Sequence, residues 1–147
     1  MIKRDYLQRL IEEFSKEVSI SLREALINKD PDAIDATEDQ IGKVLDLDAQ
    51  TVLSLSPESF VTMVTLGGTG EALSTHIAYA LNRIADGYSR QITSDLSEDE
   101  RAELQSVATL RRQQAQALLA AFDQHASGVP NSLKDLDREL EDALRAW

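Results

Sequence analysis

Apolar residues recur at intervals of three and four positions along almost all of the chain. This spacing places them on one side of an α-helix, because a helix makes one turn in 3.6 residues. Only Ser59–Leu66 has the β-branched composition of a strand, and a lone strand would have no partner. The pattern therefore predicts an all-α protein of about six or seven helices. The first helix, over about residues 2–28, carries the stripe Leu7, Leu10, Ile11, Phe14, Val18, Leu22, Ala25 and Leu26.

Capping residues and helix breakers predict where these helices begin. Asp30 and Pro31 suit a helix start, because Asp accepts hydrogen bonds from free N–H groups and Pro needs no donor at the first position. Ser97 followed three residues later by Glu100 is a capping-box sequence, which opens the longest predicted helix. The predicted helices begin near residues 2, 31, 51, 57, 70, 97 and 131.

Residues 131–147 form a C-terminal amphipathic helix with a narrow apolar stripe. The stripe ends in Trp147, and a tryptophan side chain is costly to leave in water, so another surface is expected to cover the stripe. Two surfaces are candidates to cover it: a partner protein or second copy of the chain, and the chain's own long helix over residues 97–127. The stripe has coiled-coil spacing and contains Leu133, Leu136, Leu140, Leu144 and Trp147.

Length and composition predict one helical domain over residues 1–147. A chain of 147 residues, 42% of them hydrophobic, is long enough to close around a single core. No window approaches 18 consecutive apolar residues, so no association with a membrane is expected. The chain has no cysteine, which removes disulfides, thiolate metal sites and cysteine nucleophiles and agrees with a cytoplasmic location.

The charge is strongly negative and unevenly distributed. The net charge is −11, and residues 30–60 alone contribute −7. Nucleic-acid binding depends on contacts from Lys and Arg to phosphates, so this balance argues against a nucleic-acid partner. The basic residues of the first helix alternate with acidic ones, which is typical of an ordinary solvated surface.

The acidic stretch of residues 29–43, KDPDAIDATEDQIGK, does not match a calcium-binding loop. An EF-hand loop that began at Asp30 would need Gly at its sixth position and Glu at its twelfth. The sequence has Asp35 and Ile41 at those two places. The simpler interpretation is a helix N-terminus, whose dipole favours Asp30 and Asp32. An electrostatic docking surface or weak binding of divalent ions is the alternative.

The glycine-rich stretch of residues 65–71, TLGGTGE, is interpreted as a junction between two helices. Its spacing matches neither the Walker loop nor the dinucleotide-binding loop, and the Glu71 carboxylate would repel a phosphate. We expect Gly67 or Gly68 to end one helix in the left-handed conformation and Thr69 to cap the next.

Two histidines, His76 and His125, are available for acid–base or metal chemistry. His125 is predicted in the last turn of its helix, where the dipole favours a partly charged imidazole. His76 shares one side of its helix with Tyr79 and Arg83, so these three polar groups are candidates to line a ligand-binding groove. No HExxH, ExxH or GxSxG motif occurs, and we predict no metal site, cofactor or catalytic residue.

Several short segments together resemble a family of small uncharacterised bacterial all-helical proteins. They are DYLQRLIEEF at residues 5–14, LDLD at 45–48, LSLSPE at 53–58 and the Gly-Gly junction before a long helix. Members of this family open with a D-Y-x-x-R-L-I-E-type helix and are similar to tetratricopeptide-repeat proteins in how their helices stack. The resemblance implies a repeat-like helical core over residues 1–128. It implies no activity and no catalytic residues.

These observations predict a non-catalytic protein–protein interaction module or small scaffold. Its partner is expected to be another protein or a second copy of the chain, bound through the C-terminal stripe or the acidic region. The alternative is a ligand-binding sensor or an enzyme with a pocket beside His76, Tyr79 and Arg83.

Overall fold

The computed structural model describes residues 4–122 and 128–147, without the side chain of Glu71. Within these ranges the chain forms seven α-helices and no β-strand, which confirms the all-α prediction. A π-helical turn, Arg23–Ile27, extends the first helix, and a 3₁₀ turn, Asn131–Leu133, precedes the last. The tetratricopeptide-like stacking stays a prediction. The helices are α1 (Arg4–Leu22), α2 (Asp32–Leu45), α3 (Ala49–Leu53), α4 (Pro57–Leu66), α5 (Gly70–Arg90), α6 (Glu98–Ala121) and α7 (Lys134–Ala146).

Helix α5 lies at the centre of the hydrophobic core. It packs most extensively against α6 and also contacts α1, α2 and α4. Burying a Leu or Ile side chain contributes roughly 1.5–3 kcal/mol, so the inward stripe of α5 supplies a large share of the stability. Among the described helices, none combines the length and the apolar run that spanning a bilayer requires. The buried stripe of α5 has helical spacing and contains Leu73, Ile77, Ala80, Leu81 and Ile84.

The predicted cap is observed at the start of α6 and only in part at the start of α2. Helix α2 begins at Asp32 and not at Pro31, which occupies the N-cap position and makes no capping bond; Asp30 Oδ1 still accepts a hydrogen bond from the backbone N–H of Asp32 at 3.0 Å. At the start of α6, Ser97 and Glu100 exchange the two hydrogen bonds of a capping box. A cap of this kind contributes about 1 kcal/mol, because it satisfies N–H groups that have no partner within the helix.

Helix α3 begins at Ala49, before its predicted start near Thr51. Asp48 caps it by accepting hydrogen bonds from the hydroxyl of Thr51 at 2.7 Å and from its backbone N–H at 3.0 Å. These two bonds lower the pKa of Asp48 below its ordinary value. With this cap the helix starts two residues before the position that the apolar spacing alone indicates.

The junction between α4 and α5 uses glycine as predicted, but without the predicted cap. Gly68 has φ of 77°, the left-handed conformation that favours glycine. The prediction for Thr69 was wrong, since its side chain makes no capping hydrogen bond. A Cβ at Gly70 would lie 2.8 Å from the Phe122 ring and 3.0 Å from Val64. The first turn of α5 is therefore packed against apolar side chains.

Helix α7 packs against the end of the first helix. Its main contacts are with the π-helical turn that extends α1, and the 3₁₀ turn before α7 contacts α1 itself. Of the two covers that the sequence left open, a cover within the chain is the one observed, and the end of the first helix provides most of it rather than the described part of the long helix over residues 97–127. Leu144 and Trp147 are partly buried at the edge of the core. The fully covered members of the stripe are Leu133, Leu136 and Leu140, at 2% exposure or less.

Candidate functional site

Tyr79 and Arg83, two of the three predicted ligand-binding residues, form a polar network that attaches α7 to α5. The Tyr79 hydroxyl donates to Asp137 at 2.9 Å and accepts from Arg83 Nε at 3.2 Å. The Arg83 guanidinium also donates to Asp137 at 2.6 Å and to Glu141 at 2.7 Å, both on α7. A further bond, of 3.1 Å, joins it to Asp86 on α5. Carboxylates of the same chain thus neutralise Arg83, whose side chain is 8% exposed.

Burial and hydrogen bonding fix the charge states in this network. Burial raises the pKa of Tyr79 well above its ordinary 10.0, so the phenol stays neutral. Burial alone would lower the pKa of Arg83, but its hydrogen bonds, first the one to Asp137, outweigh burial and raise it. Neither group exchanges a proton near neutral pH. The arrangement joins two helices rather than supporting acid–base chemistry.

His76 lies in a separate chain of hydroxyl contacts. Its Nε2 is 3.2 Å from the Ser132 hydroxyl, which lies 2.9 Å from the hydroxyl of Ser15 on α1. Its Nδ1 is 3.4 Å from the Thr75 hydroxyl. Burial lowers the pKa of His76 below 6.5, so the ring is neutral at neutral pH. The second histidine, His125, lies outside the described residues.

A cleft of about 250 Å³ does lie beside Tyr79 and Arg83. It is also lined by Asn82 and by Val129, whereas His76 is not part of its lining. The structure therefore brings together two of the three predicted ligand residues and separates the third. Because Arg83 is already bonded to carboxylates, the cleft has no available cation on α5 with which to bind an anionic ligand.

The C-terminal stripe, the predicted surface for a partner, is held down at the middle and at the end of α7. At the middle, Arg23 forms an ion pair of 2.7 Å with Glu139. At its end, the Lys29 ammonium lies 5.2 Å from the centre of the Trp147 ring, a cation–π arrangement. Leu140 between them is fully buried. Docking of a partner on the whole stripe would require α7 to detach first.

The acidic stretch lies on α2, where it borders an open cleft of about 500 Å³ between α2, α3 and α6. Asp35 and Asp39 stand one turn apart on α2 and are exposed. Val107 and Leu110 of α6 line the same cleft and are partly exposed. Carboxylates therefore face a surface of apolar side chains.

A second cleft, of about 460 Å³, continues along α6. It is lined by Leu104 and Val107, and by the carboxylates Glu100 and Glu103. Val107 belongs to both clefts, so the two form one continuous surface. We call this surface the acidic groove; its defining residues are Asp35, Asp39, Glu100, Glu103, Leu104, Val107 and Leu110.

The α6 side of the acidic groove is a single helix face. At 100° per residue, its lining positions between residues 100 and 111 fall within an arc of about 120°. At 1.5 Å per residue they extend over roughly 16 Å, or about three helical turns. The groove is therefore long and narrow, and it runs parallel to α6.

A buried polar cluster lies beneath the acidic groove and fixes its walls. Glu38 of α2 accepts a hydrogen bond from Tyr88 at 2.8 Å and one from Arg111 Nε at 2.8 Å. Arg111 also donates to the backbone carbonyl of Leu53 at 2.7 Å. Burial, with the nearby Glu38 charge, raises the pKa of Tyr88 far above 10.0. The cluster joins α2, α3, α5 and α6 and leaves no net charge of its own.

The sequence analysis missed this cluster, although a signal for it exists. Arg111 and Gln114 stand in the polar run RRQQ of residues 111–114, which is typical of a solvated surface. Yet Arg111 lies four positions before Ala115 and Gln114 lies four positions before Leu118, and both of these apolar residues are buried on the inner side of α6. A polar residue at the apolar period of a helix indicates a buried hydrogen-bonding role.

The remaining carboxylates of the acidic groove are not compensated by cations. Within residues 4–122 and 128–147, Asp35, Asp39 and Glu103 form no hydrogen bond or ion pair. The cation that lines the groove, Arg111, is already bound to Glu38. Across the described residues, no group of three or more His, Asp or Glu side chains is placed to hold a metal ion. The rim therefore presents negative charge to whatever enters.

Comparison of the chain with protein-family models, curated proteins and solved structures found no match. The resemblance to the bacterial helical family stays a prediction, and the functional argument rests on the geometry of the acidic groove.

Proposed function

We propose that the protein is a non-catalytic protein–protein interaction module whose partner binds in the acidic groove. The observation that carries this proposal is the combination of a partly exposed apolar floor with carboxylates that the fold leaves unpaired. Apolar floors supply most of the affinity of protein interfaces, and charged rims supply specificity and association rate. The absence of cysteine supports a cytoplasmic site of action.

The acidic groove supports this function better than the C-terminal stripe does. Leu133, Leu136 and Leu140 are already covered by the chain's own helices, so they offer no surface to a partner. The groove residues Leu104 and Val107, in contrast, retain exposed apolar surface on a fixed helix. A rigid, preformed surface binds with little ordering cost.

A second copy of the chain fits the groove poorly. Two acidic rims that faced each other would repel, and the net charge of −11 adds to this repulsion. The alternative function is a ligand sensor or enzyme at His76, Tyr79 and Arg83.

This alternative lacks support, because the polar groups that were expected to receive a ligand are bonded within the chain.

The proposal is tested with Val107→Arg, which places a bulky cation at the position shared by both clefts. Thr109→Arg is the matched control, because it adds the same charge to an exposed position of α6 that lines neither cleft. Each tagged protein is purified from cells of its source, and the associated proteins are quantified by mass spectrometry.

We expect wild type and Thr109→Arg to retain the same associated proteins and Val107→Arg to lose them. Far-UV circular dichroism of both variants checks that the helices are intact. If Val107→Arg keeps the wild-type set of associated proteins, the acidic groove is not the interface and the proposal is wrong.

A further inference from the structure

We propose that the partner segment is a basic amphipathic α-helix that lies lengthwise along the acidic groove. This inference rests on the proposed function and adds the shape and the chemistry of the partner. Three properties of the groove carry it: the spacing of its apolar residues, the lack of a strand edge, and the position of its carboxylates.

The apolar floor repeats along the axis of α6 in the way that a docked helix requires. Leu104, Val107 and Leu110 follow one another at intervals of three on one helix face. An amphipathic helix likewise presents apolar anchors three or four residues apart on one face, so its anchors can follow these side chains along the groove. The groove length of roughly 16 Å corresponds to about 11 helical residues. A segment of three turns therefore fills the groove.

A helix also pairs its own backbone N–H and C=O groups, whereas an extended peptide in the acidic groove does not. Extended peptides usually bind by adding a strand to a sheet edge, which pairs their N–H and C=O groups. The described residues contain no strand, so such an edge is lacking there. An extended chain pressed against Leu104 and Val107 would bury unpaired polar groups, and this is costly. The apolar floor thus selects a segment whose hydrogen bonds are internal.

The carboxylates specify the sign of the partner's charge. Asp35 and Asp39 flank the groove at the α2 end, and Glu100 and Glu103 flank it at the start of α6. Lys or Arg side chains beside the apolar anchors would meet these carboxylates at both ends. Nucleic acids and anionic lipids carry phosphates, which the same carboxylates repel. The partner is therefore a cationic polypeptide.

The experiment is a selection of random 16-residue peptides displayed on phage against the wild-type protein. Val107→Arg serves as the counter-selection target. We expect the enriched peptides to carry net positive charge, apolar residues at helical spacing, and Lys or Arg on both sides of them. An enriched peptide is then synthesised, and its affinity is measured by fluorescence anisotropy at low and physiological salt.

Charge variants separate groove recognition from general attraction. We expect the double variant Asp35→Asn, Asp39→Asn to bind the peptide at least tenfold more weakly than wild type. Asp135→Asn with Asp142→Asn is the matched control, because it removes the same charge from α7 side chains that are 86% and 78% exposed. This control should bind within about twofold of wild type at physiological salt, where distant exposed charges are screened.

The outcomes distinguish this inference from the function on which it rests. Enriched peptides that are acidic, or that bind without helical structure by circular dichroism, overturn the basic-helix inference but leave the interaction function in place. Equal weakening by both double variants also overturns it, since attraction would then be general. If no peptide is enriched on wild type above Val107→Arg, both the inference and the proposed groove fail. All four aspartates are exposed or on helix surfaces, so these variants keep the fold even if Val107→Arg does not.

Discussion

The neighbouring residues Gln113 and Gln114 of α6 offer a direct test of how the acidic groove is held in shape. Gln113 is exposed, whereas Gln114 is fully buried. The Gln114 amide donates hydrogen bonds to the carbonyls of Leu53 at 2.9 Å and Leu55 at 3.0 Å, and its oxygen accepts one from Arg111 at 3.3 Å. These bonds fasten the turn between α3 and α4, one wall of the groove, to α6.

Replacing Gln114 by Met keeps the side-chain length and the helix propensity but removes these hydrogen bonds. The Leu55 carbonyl loses its donor, and the Leu53 carbonyl keeps the bond of 2.7 Å from Arg111. Leaving the partly buried Leu55 carbonyl without a donor costs about 1–3 kcal/mol, and each further lost bond costs about 1 kcal/mol. We therefore expect the free energy of unfolding to fall by about 2–4 kcal/mol. In a protein of this size, 1 kcal/mol corresponds to about 3–4 °C in Tm.

Urea unfolding followed by far-UV circular dichroism measures this loss, with Gln113→Met as the matched control. The control should change the free energy of unfolding by less than about 0.5 kcal/mol, because its side chain is solvated in both states. If the two variants unfold at the same urea concentration, the Gln114 hydrogen bonds do not stabilise the fold and the reasoning is refuted.

Two further predictions concern the attachment of α7, and a third concerns His76. Arg83→Met should lower the free energy of unfolding by about 2 kcal/mol, since it leaves partly buried carboxylates of α7 without their cation. The control Arg112→Met, at a side chain that is 46% exposed, should lower it by less than about 0.5 kcal/mol. Trp147 is the sole tryptophan and lies at the end of α7, so its fluorescence reports on the attachment of this helix. We expect the fluorescence to shift in urea before the helical signal is lost, and coincident transitions would contradict the prediction that α7 detaches first. His76 has a folded pKa below 6.5, so the unfolded chain binds more protons and stability should fall as pH drops below that value. The urea midpoints at pH 7.5 and 5.5 should therefore differ less in His76→Gln than in wild type, and an unchanged difference would exclude this role for His76.

The positions of the helices could be predicted because their signals are local. The stripe of α5 that includes Leu73 and Ile77 has helical spacing within one segment, and the Ser97 capping box needs four consecutive residues. Asp48 shows where local evidence was incomplete, since its capping role became clear only from its bonds to Thr51. Boundaries depend on such side-chain bonds more than on hydrophobic period.

The candidate site was harder to predict, because it combines distant parts of the chain. An apolar stripe such as that of Leu136 and Leu140 shows that a face is covered, but it does not show which surface covers it. Arg83 looked like a ligand-binding residue because its carboxylate partners, Asp137 and Glu141, lie more than 50 residues away. The acidic groove likewise needs α2 and α6 side by side, which no local pattern indicates.

The pairing of the first helix with α7 has a consequence for how the chain folds as it is synthesised. Ser15 bonds to Ser132 across 117 positions, and Arg23 to Glu139 across 116. At translation rates of about 5–20 residues per second, this separation corresponds to roughly 6–23 s. During that interval the inner side of α1 and of the π-helical turn that extends it, including Leu22 and Leu26, lacks part of its cover. A growing chain therefore exposes an apolar surface that chaperones bind, and it reaches its final stability only when residues 133–140 have left the ribosome.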